Sequence, residues 1–443
     1  MVQNKSIGVI SLGCDKNRVD TEKMIARLKT KHTITPDIEK AEIIIVNTCA
    51  FLESSRKEAI EEILSAYSYK KGGEGKGVAE KLIVTGCLPQ RFISEIFNEF
   101  TEVDAFLGIS DYDKINEIID ALYDSDKRLN AVGNPSNERL LDRTLTTNGY
   151  AYLKIADGCS NHCTYCLIPS IRGKYRSVPS EMLLKETKAL GEVNELILVA
   201  QDTTAYGVDL NNGENLVSLI RTLSALDNVK SIRLLYCYPE NITEELIDEL
   251  ATNPKLIKYI DIPMQHADDK ILKLMNRKGT FDKYLSLVER LKERVKGIAI
   301  RSTFITGFPQ EDEKAFNNLV NFLERAKLFN AGFFKYSREE GTAAARLSGQ
   351  IDGKTKTARL KKLYAVQKKI VKQNYKDLVG KTFNVVCEGF DNDQLVYYGR
   401  AYFNAPDIDG TVYFFSADET VCGATYPVKI IKATGYDLYG ERQ

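Results

Sequence analysis

The first 135 residues alternate between short apolar runs and amphipathic segments. Three runs have the length and apolar content of strands, namely residues 6–13, 41–49 and 77–87. Each is followed by a segment with apolar positions at helical spacing, at residues 18–30, 55–69 and 89–100. Repeated strand–helix units are typical of a parallel sheet, so residues 1–135 predict an α/β domain.

A second region, residues 149–377, repeats this alternation over a longer span. Six strand candidates recur in it, at 151–156, 195–201, 231–236, 259–265, 298–307 and 331–337. Helical patterns separate them, at 180–191, 242–253, 281–295 and 313–327 among others. Six such units predict a partial (β/α)6 barrel, whose reactive groups lie at the carboxyl ends of its strands. Residues 136–148 are interpreted as a polar linker between the two regions.

The last region, residues 378–443, carries short strand patterns without helices between them. The runs are 382–390, 394–402, 410–417 and 426–434. This pattern is typical of a small all-β barrel of the OB-like kind. The chain is therefore predicted to be an α/β multidomain protein with three domains, at 1–135, 149–377 and 378–443.

Charge is distributed unevenly along a chain whose total is balanced. Lys+Arg and Asp+Glu are both 61, which argues against a protein that binds polyanions over its whole surface. Residues 354–376 carry nine Lys or Arg and no acid at helical spacing; we favour a solvated helix face over one that contacts phosphates. Residues 381–443 carry five basic and nine acidic residues, a net charge of −4.

The composition predicts a cytoplasmic protein with reduced cysteines. Hydrophobic residues make up 43% and charged residues 28%, as in ordinary globular proteins. The sequence shows neither a secretory segment nor an apolar run of membrane-spanning length. Its nine cysteines would therefore stay reduced, and clustered cysteines in such a compartment more often bind metal or take part in catalysis.

Cysteines follow three successive strand candidates of the first region. Cys14, Cys49 and Cys87 end the segments LGC, NTC and TGC. Because sites in open α/β sheets form beyond the carboxyl ends of strands, these three thiols are expected to converge. The alternative is three buried, inert thiols.

Three more cysteines lie within eight residues, in CSNHCTYC at 159–166. Cys159, Cys163 and Cys166 could bind zinc together with His162, although a histidine between two cysteines reaches the ion awkwardly. A four-iron cubane usually takes four thiolates, so three would leave one iron with an open position. An open iron can chelate the amino and carboxylate groups of S-adenosylmethionine. The remaining thiols, Cys237, Cys387 and Cys422, are interpreted as ordinary buried or surface cysteines.

The spacing C-x3-C-x-aromatic-C after the first barrel strand resembles the radical S-adenosylmethionine superfamily, with Tyr165 as the aromatic residue. The resemblance extends to the methylthiotransferase family through four segments, at 11–22, 46–60, 84–90 and 151–177. It implies two 4Fe-4S clusters, one on each cysteine triad, and a C-terminal TRAM domain. It also implies S-adenosylmethionine as both radical source and methyl donor. One departure is Asp15, which stands where the branch that acts on a ribosomal protein usually has proline.

The resemblance further suggests residues beside the bound S-adenosylmethionine. Gln201 and Asp202 follow the second barrel strand, where turn capping is an equal alternative. Gln265 follows the fourth strand; Arg301 and Gly307 lie in RSTFITGFPQE, which resembles the superfamily's glycine-containing segment beside the adenine. His266 is interpreted as a structural hydrogen-bonding residue rather than a catalytic one.

The predicted function is methylthiolation of an aspartate β-carbon in ribosomal protein S-twelve. Residues 261–277 and 405–410 resemble that branch of the family, and an acidic C-terminal domain would attract a basic ribosomal protein, with Asp407 and Asp409 on its surface. The alternatives are methylthiolation of an adenosine in transfer RNA and a non-enzymatic iron–sulfur scaffold. Expected partners are the ribosomal protein and an electron donor such as flavodoxin or ferredoxin, without a membrane or stable RNA binding.

Overall fold

The computed structural model describes residue 2 and residues 4–71, 77–125, 127–136 and 142–443. Their contacts group them into two units. The first comprises 1–146, 152–161 and 166–190, and the second comprises 147–151, 162–165 and 191–443. Residues 137–141 of the predicted linker lie outside the described residues, and the predicted three-domain boundaries remain a prediction.

The first unit is built on a six-stranded parallel sheet, which confirms the predicted α/β domain. Its strands are β1 (Ser6–Ser11), β2 (Thr33–Ile34), β3 (Ile43–Thr48), β4 (Lys81–Gly86), β5 (Ala105–Leu107) and β6 (Leu129–Ala131). They lie in the order β2-β1-β3-β4-β5-β6. The helices are α1 (Asp15–Leu28), α2 (Glu53–Ser68), α3 (Cys87–Glu99) and α4 (Ile115–Asp124).

Both faces of this sheet are buried, as a parallel sheet requires. All six residues of β3 are buried, and its four apolar residues alternate between two apolar clusters. Ile44 and Val46 pack with residues of α2 and α3, whereas Ile43 and Ile45 pack with residues of α1 and α4. Helices therefore cover both faces and leave the carboxyl ends of the strands as the edge where side chains can form a site.

Residues 152–161 and 166–190 complete the first unit. They contain the end of β7 (Tyr150–Lys154), which begins in the second unit, and the short antiparallel pair β8 (Ala156–Asp157) and β9 (Arg176–Ser177). Two helices follow the cysteine-rich segment, α5 (Ile168–Arg172) and α6 (Ser180–Ala189).

The second unit contains five strands, β14-β13-β12-β11-β10 in that order, of a six-stranded sheet whose remaining strand is β7. Its other strands, which pair in parallel, are β10 (Glu195–Val199), β11 (Ile232–Leu234), β12 (Leu256–Asp261), β13 (Ala299–Thr306) and β14 (Asn330–Lys335). Its helices are α7 (Leu216–Ser224), α8 (Glu244–Thr252), α9 (Asp269–Leu274), α10 (Phe281–Arg294), α11 (Glu313–Ala326) and α12 (Gly353–Lys376). None of the described helices is both long and apolar enough to cross a membrane.

A closed five-stranded barrel ends the chain and confirms the predicted all-β region. Its strands are β15 (Thr382–Asp391), β16 (Val396–Arg400), β17 (Val412–Phe415), β18 (Thr425–Thr434) and β19 (Asp437–Arg442). Neighbouring strands pair antiparallel except β17 and β19, which pair in parallel and close the barrel. Closure removes the exposed strand edges that an open sheet would present.

Candidate functional site

The three N-terminal cysteines lie at the carboxyl ends of adjacent strands. Cys14 follows β1, Cys49 follows β3 and Cys87 follows β4, and these strands are neighbours in the sheet. The hydrogen-bond ladder between β1 and β3 extends past the end of β1, because the Leu12 N–H donates to the Asn47 carbonyl at 2.9 Å. The sheet order therefore gathers residues that are 35 and 38 positions apart in the sequence.

Glycines shape the backbone beside these cysteines. Gly13 has φ +90°, and a Cβ at that position would lie 2.6 Å from Cys49 Cβ and 3.2 Å from its Sγ. Gly86 has φ +99°, and a Cβ there would lie 2.4 Å from the Asn47 side-chain oxygen. Only glycine combines a positive φ with this close approach, so both turns bring backbone directly against the neighbouring strand end.

The thiols differ in exposure and in their electrostatic surroundings. Cys14 is exposed, Cys49 is partly buried and Cys87 is buried. Burial raises the pKa of Cys87 to about 11; the guanidinium of Arg172 opposes this rise, and Cys49 and Cys14 add to it. Burial likewise raises the pKa of Cys49, with a further contribution from Cys14. Because Cys14 is exposed, the alternative of three buried thiols does not describe this triad.

The second cysteine triad lies in the loop between β8 and α5. The Cys159 N–H donates to the Gly173 carbonyl at 3.1 Å, and the Cys166 Sγ accepts from the Ile168 N–H at 3.4 Å. A backbone N–H directed at a thiolate stabilises its negative charge, as is common where thiolates bind iron.

Cys163 lies in the part of this loop that belongs to the second unit. There the Thr164 N–H donates to the Met275 carbonyl at 3.1 Å, and the Thr164 carbonyl accepts from the Ala344 N–H at 2.9 Å. Asn276 donates to the His162 carbonyl at 3.0 Å. The turn after α9 thus fixes the backbone on either side of Cys163.

Tyr165 and Arg277 flank this anchored segment. Tyr165 packs against an apolar cluster that includes Met275, Phe308 and Tyr336. Arg277 is buried, donates to the Pro263 carbonyl at 2.7 Å and stacks over the Tyr238 ring at 3.9 Å from its centroid. Tyr165, the predicted aromatic residue, therefore packs against this apolar cluster.

Over the described ranges, no group of three or more His, Cys, Asp or Glu side chains is arranged to hold a single metal ion. A four-iron cubane is larger than one ion and needs its thiolates farther apart, as cysteines on separate strand ends can be.

Two predicted cofactor residues follow β10. Asp202 is buried and caps the turn after the strand, accepting from the Thr204 hydroxyl at 2.6 Å and the Ala205 N–H at 3.2 Å. Its second oxygen accepts from Asn241 at 3.3 Å. Gln201 precedes it and is partly buried. In this structure the contacts of Asp202 are therefore those of a residue that caps a turn.

Gln265 and His266 follow β12 and lie against β13. Gln265 has φ +72°, and its backbone exchanges hydrogen bonds with Thr303 and Ile305 at 2.8 and 2.7 Å. His266 is fully buried; its Nδ1 accepts from the Asp268 N–H at 2.9 Å, and its Nε2 lies 3.8 Å from Glu311. These contacts fit the structural interpretation of His266.

Glu311 holds the turn that contains Gly307. Its carboxylate accepts from the Gly307 N–H, from Phe308 at 3.2 Å and from the Thr306 hydroxyl at 2.9 Å. Gly307 has φ +75°, and a Cβ there would lie 2.2 Å from a side-chain carbon of Lys356. The turn is thus stabilised by one buried acid and is closed on its other side by α12.

Arg301, a predicted cofactor residue, is part of a buried ion network. It donates to Asp261 at 2.9 Å and lies 3.5 Å from Asp409. The fully buried side chain of Asp409 also accepts from Tyr259 at 2.7 Å and Asn330 at 2.9 Å. The expectation that Asp409 lies on an acidic surface is therefore wrong, because its charge is used to dock the C-terminal barrel on β12, β13 and β14.

Sequence reasoning did not single out Arg172, Arg277 or Glu311. Each belongs to a segment that had been noted, namely IRGKYRS, the MNR end of 261–277 and GFPQE. The signal that could have identified these residues is a charged side chain close in sequence to a cysteine or to a glycine turn. The sequence predicts that Cys387 and Cys422 are ordinary thiols; in the structure, burial and then Cys422 raise the pKa of Cys387 to about 11.

Three family models match the chain. Residues 153–323 match the radical SAM superfamily, and residues 6–108 match a family described as uncharacterized protein family UPF0004. Residues 379–442 match the TRAM domain. Along the chain, the UPF0004 match contains the first cysteine triad, the radical SAM match contains the second, and the TRAM match covers the final barrel.

Solved structures with low sequence identity share the fold. The radical S-adenosylmethionine methyltransferase TsrM from Kitasatospora setae has a TM-score of 0.56 at 13% identity, covering 77% of each chain. The cobalamin-dependent radical enzyme OxsB has a TM-score of 0.53 at 13% identity, covering 82% of this chain and 56% of that one.

Curated relatives match over nearly the whole length. The ribosomal protein uS12 methylthiotransferase RimO of Acetivibrio thermocellus is 46% identical over 452 residues, covering 99% of this chain and 98% of that relative. The protein of the same name from Clostridium kluyveri is 46% identical over 439 residues, covering 98% and 97%. The chain therefore belongs to the RimO family of ribosomal protein uS12 methylthiotransferases.

Proposed function

We propose that this chain replaces a hydrogen on the β-carbon of an aspartate in ribosomal protein uS12, the S-twelve protein, with a methylthio group. The observation that carries the proposal is the presence of two cysteine triads in one chain. One triad is spread over the ends of β1, β3 and β4, and the other lies in the C-x3-C-x2-C loop of a radical SAM segment. Family membership supports the same activity.

The two triads suit two 4Fe-4S clusters. Cys14, Cys49 and Cys87 would hold one cluster; Cys159, Cys163 and Cys166 would hold the other. Each triad supplies three thiolates where four are usual, so one iron of each cluster lacks a protein ligand. When bound, one cluster would supply the electron for reductive cleavage of S-adenosylmethionine, whose adenosyl fragment takes a hydrogen from an unactivated carbon, and the other would supply an iron on which sulfur can be presented. A flavodoxin or ferredoxin would supply the electron, and a second S-adenosylmethionine the methyl group.

The residues proposed to border S-adenosylmethionine play different parts in this arrangement. Tyr165 packs against an apolar cluster, and Gly307 has a positive φ and lies against Lys356 of α12. Asp202 and Arg301 are already engaged in hydrogen bonds and ion pairs, so they would fix the ends of β10 and β13. Gln201 and Gln265 carry the amides that we propose for direct contact.

Replacing Gly13 with alanine tests whether the N-terminal triad holds a cluster, because the substitution adds one methyl group and leaves all three thiols in place. The added Cβ would meet Cys49 at 2.6 Å, so iron in the reconstituted protein should fall from about eight toward about four per chain. Gly191→Ala is the matched control, because Gly191 also has positive φ (+73°) but has no atom within 4 Å of the added Cβ. Equal iron in both variants would contradict the assignment.

Surface charge favours a basic protein substrate over RNA. The exposed acids of the C-terminal barrel include Asp393, Asp407, Asp418 and Glu419. Exposed negative charge attracts a basic ribosomal protein and repels phosphates. Helix α12 is the opposing feature, since seven of its lysines are exposed, at 354, 361, 362, 368, 369, 372 and 376.

A paired reaction decides between the two substrate classes. Reconstituted enzyme, reductant and S-adenosylmethionine are given either uS12 or unmodified transfer RNA. Mass spectrometry should find one methylthio group on the protein and none on the RNA; the reverse result would place the enzyme in the transfer-RNA branch. The double variant Asp418→Lys/Glu419→Lys should weaken binding of uS12, most strongly at low salt. Glu58→Lys/Glu61→Lys on the exposed face of α2 makes the same charge change and should not weaken it.

A further inference from the structure

A buried ion cluster lies beneath the N-terminal cysteines, entirely within the first unit. Arg172 donates to Asp20 at 3.2 Å and to Asp157 at 3.1 Å. Lys154 also pairs with both carboxylates, at 3.1 Å for Asp157. All four residues are buried, and two cations against two carboxylates leave the cluster neutral.

Arg172 is the member of this cluster that reaches a cysteine. Its Nη2 donates to the Cys87 Sγ at 3.5 Å, and the residue is only 1% exposed. A guanidinium stays protonated in proteins, so it presents a fixed positive charge to this sulfur. Hydrogen bonds that involve an ionised partner are stronger than neutral ones.

The same ion cluster includes a residue on each side of the second cysteine loop. Asp157 lies two residues before Cys159, and Arg172 lies six residues after Cys166. Asp157 also accepts from the Gly158 N–H at 2.8 Å, directly before Cys159. Asp20 belongs to α1, which begins immediately after Cys14. One neutral group of four side chains thus connects segments adjoining both triads.

We propose that Arg172 is a positioning residue that sets the reduction potential of the N-terminal cluster through its hydrogen bond to Cys87. The inference rests on the proposed function, since it requires a four-iron cluster on Cys14, Cys49 and Cys87. Reduction adds negative charge to such a cluster, and a donor or cation at a ligating sulfur stabilises the reduced form. Arg172 therefore raises the potential of this cluster.

The test is a redox titration followed by electron paramagnetic resonance. Cys159, Cys163 and Cys166 are replaced by alanine, so that only the N-terminal cluster contributes to the signal. In this background, Arg172→Gln should lower the midpoint potential, because the charge is lost and Asp20 and Asp157 face Lys154 alone. With the second triad intact, Arg172→Gln should reduce methylthiolation by about 10- to 100-fold.

Arg143→Gln is the matched control for loss of a buried guanidinium. The Arg143 side chain is 0% exposed and pairs with Glu22 and Glu186 in the same unit. This variant should lose stability without moving the potential. Arg172→Lys keeps the charge but loses the planar fork, and its potential should fall between those of Arg172→Gln and the unmodified protein.

Two outcomes would overturn the inference. One is an equal potential in Arg172→Gln and Arg143→Gln. The other applies if Arg172→Gln fails to fold. In that case the outcome against the inference is a midpoint potential of Arg172→Lys equal to that of the unmodified protein. Absence of any iron on the N-terminal triad of the unmodified protein would instead overturn the proposed function. A loaded cluster whose potential does not respond to Arg172 would overturn this inference alone.

Discussion

Replacing Cys14, Cys49 and Cys87 together with alanine should abolish methylthiolation while deoxyadenosine continues to form from S-adenosylmethionine. The reason is that the cluster on the first triad is proposed to present sulfur, whereas the cluster on the second is proposed to cleave S-adenosylmethionine. Iron in the reconstituted protein should fall from about eight to about four per chain. Iron analysis, chromatography of deoxyadenosine and mass spectrometry of uS12 measure the three quantities on one preparation.

The reciprocal variant is the control for this separation. Replacing Cys159, Cys163 and Cys166 should also leave about four irons, but should abolish deoxyadenosine as well as the product. With a deuterated substrate carbon, the N-terminal variant should still transfer deuterium into deoxyadenosine. Cleavage without that transfer would mean that the N-terminal cluster also positions the substrate, and an unchanged iron content would remove the N-terminal cluster from the proposal.

Replacing Glu195 with glutamine should lower the free energy of unfolding by about 3–5 kcal/mol. The Glu195 carboxylate is buried between two guanidiniums: Arg233 donates to one oxygen, and Arg400 of the C-terminal barrel donates to the other at 3.0 Å. Burial works against its charge, but Arg233 and Arg400 hold the pKa of Glu195 below its ordinary value. Glutamine would remove the carboxylate that Arg233 pairs with and would leave Arg400 with Glu388 as its remaining carboxylate partner among the described residues.

Chemical unfolding of the cluster-free protein measures this effect. Glu245→Gln is the matched control, because Glu245 pairs with Arg221 on the surface, where both side chains are more than half exposed. Its loss should change stability by less than about 1 kcal/mol. Because the Glu195 pKa is depressed, its contribution is present at neutral pH and disappears as the pH falls through that depressed value. The difference between the unmodified protein and Glu195→Gln should therefore shrink in acid, and a constant difference would contradict the ion-pair explanation.

The sequence predicted the features that depend on local pattern. Alternating strand and helix periodicity located β1, β3 and β4, and the rule for parallel strands placed Cys14, Cys49 and Cys87 at one edge. Cysteine spacing identified the second triad without any tertiary information. These features depend on short-range periodicity and on sheet topology, both of which are encoded within a few dozen residues.

Features that depend on long-range partners could not be read from the sequence. Asp409 was counted as surface charge because nothing near it in the chain reveals its bonds to Tyr259, Asn330 and Arg301. Asp202 could equally have been a ligand or a cap until the position of Asn241 was known. Net charge is a sum over composition, whereas a partner meets only the charges that remain outside the fold.

The division of the chain into units bears on how the protein can be cut into pieces. The first unit does not end at the linker, since it needs residues 152–161 and 166–190. A fragment that stops at residue 146 would retain Asp20 but lose both of its cationic partners, Lys154 and Arg172. It would also lose Glu186, the partner of Lys23 and Arg143. The N-terminal sheet is therefore not an autonomous folding module, because a fragment that carries it keeps these buried ion pairs only if it extends beyond Glu186.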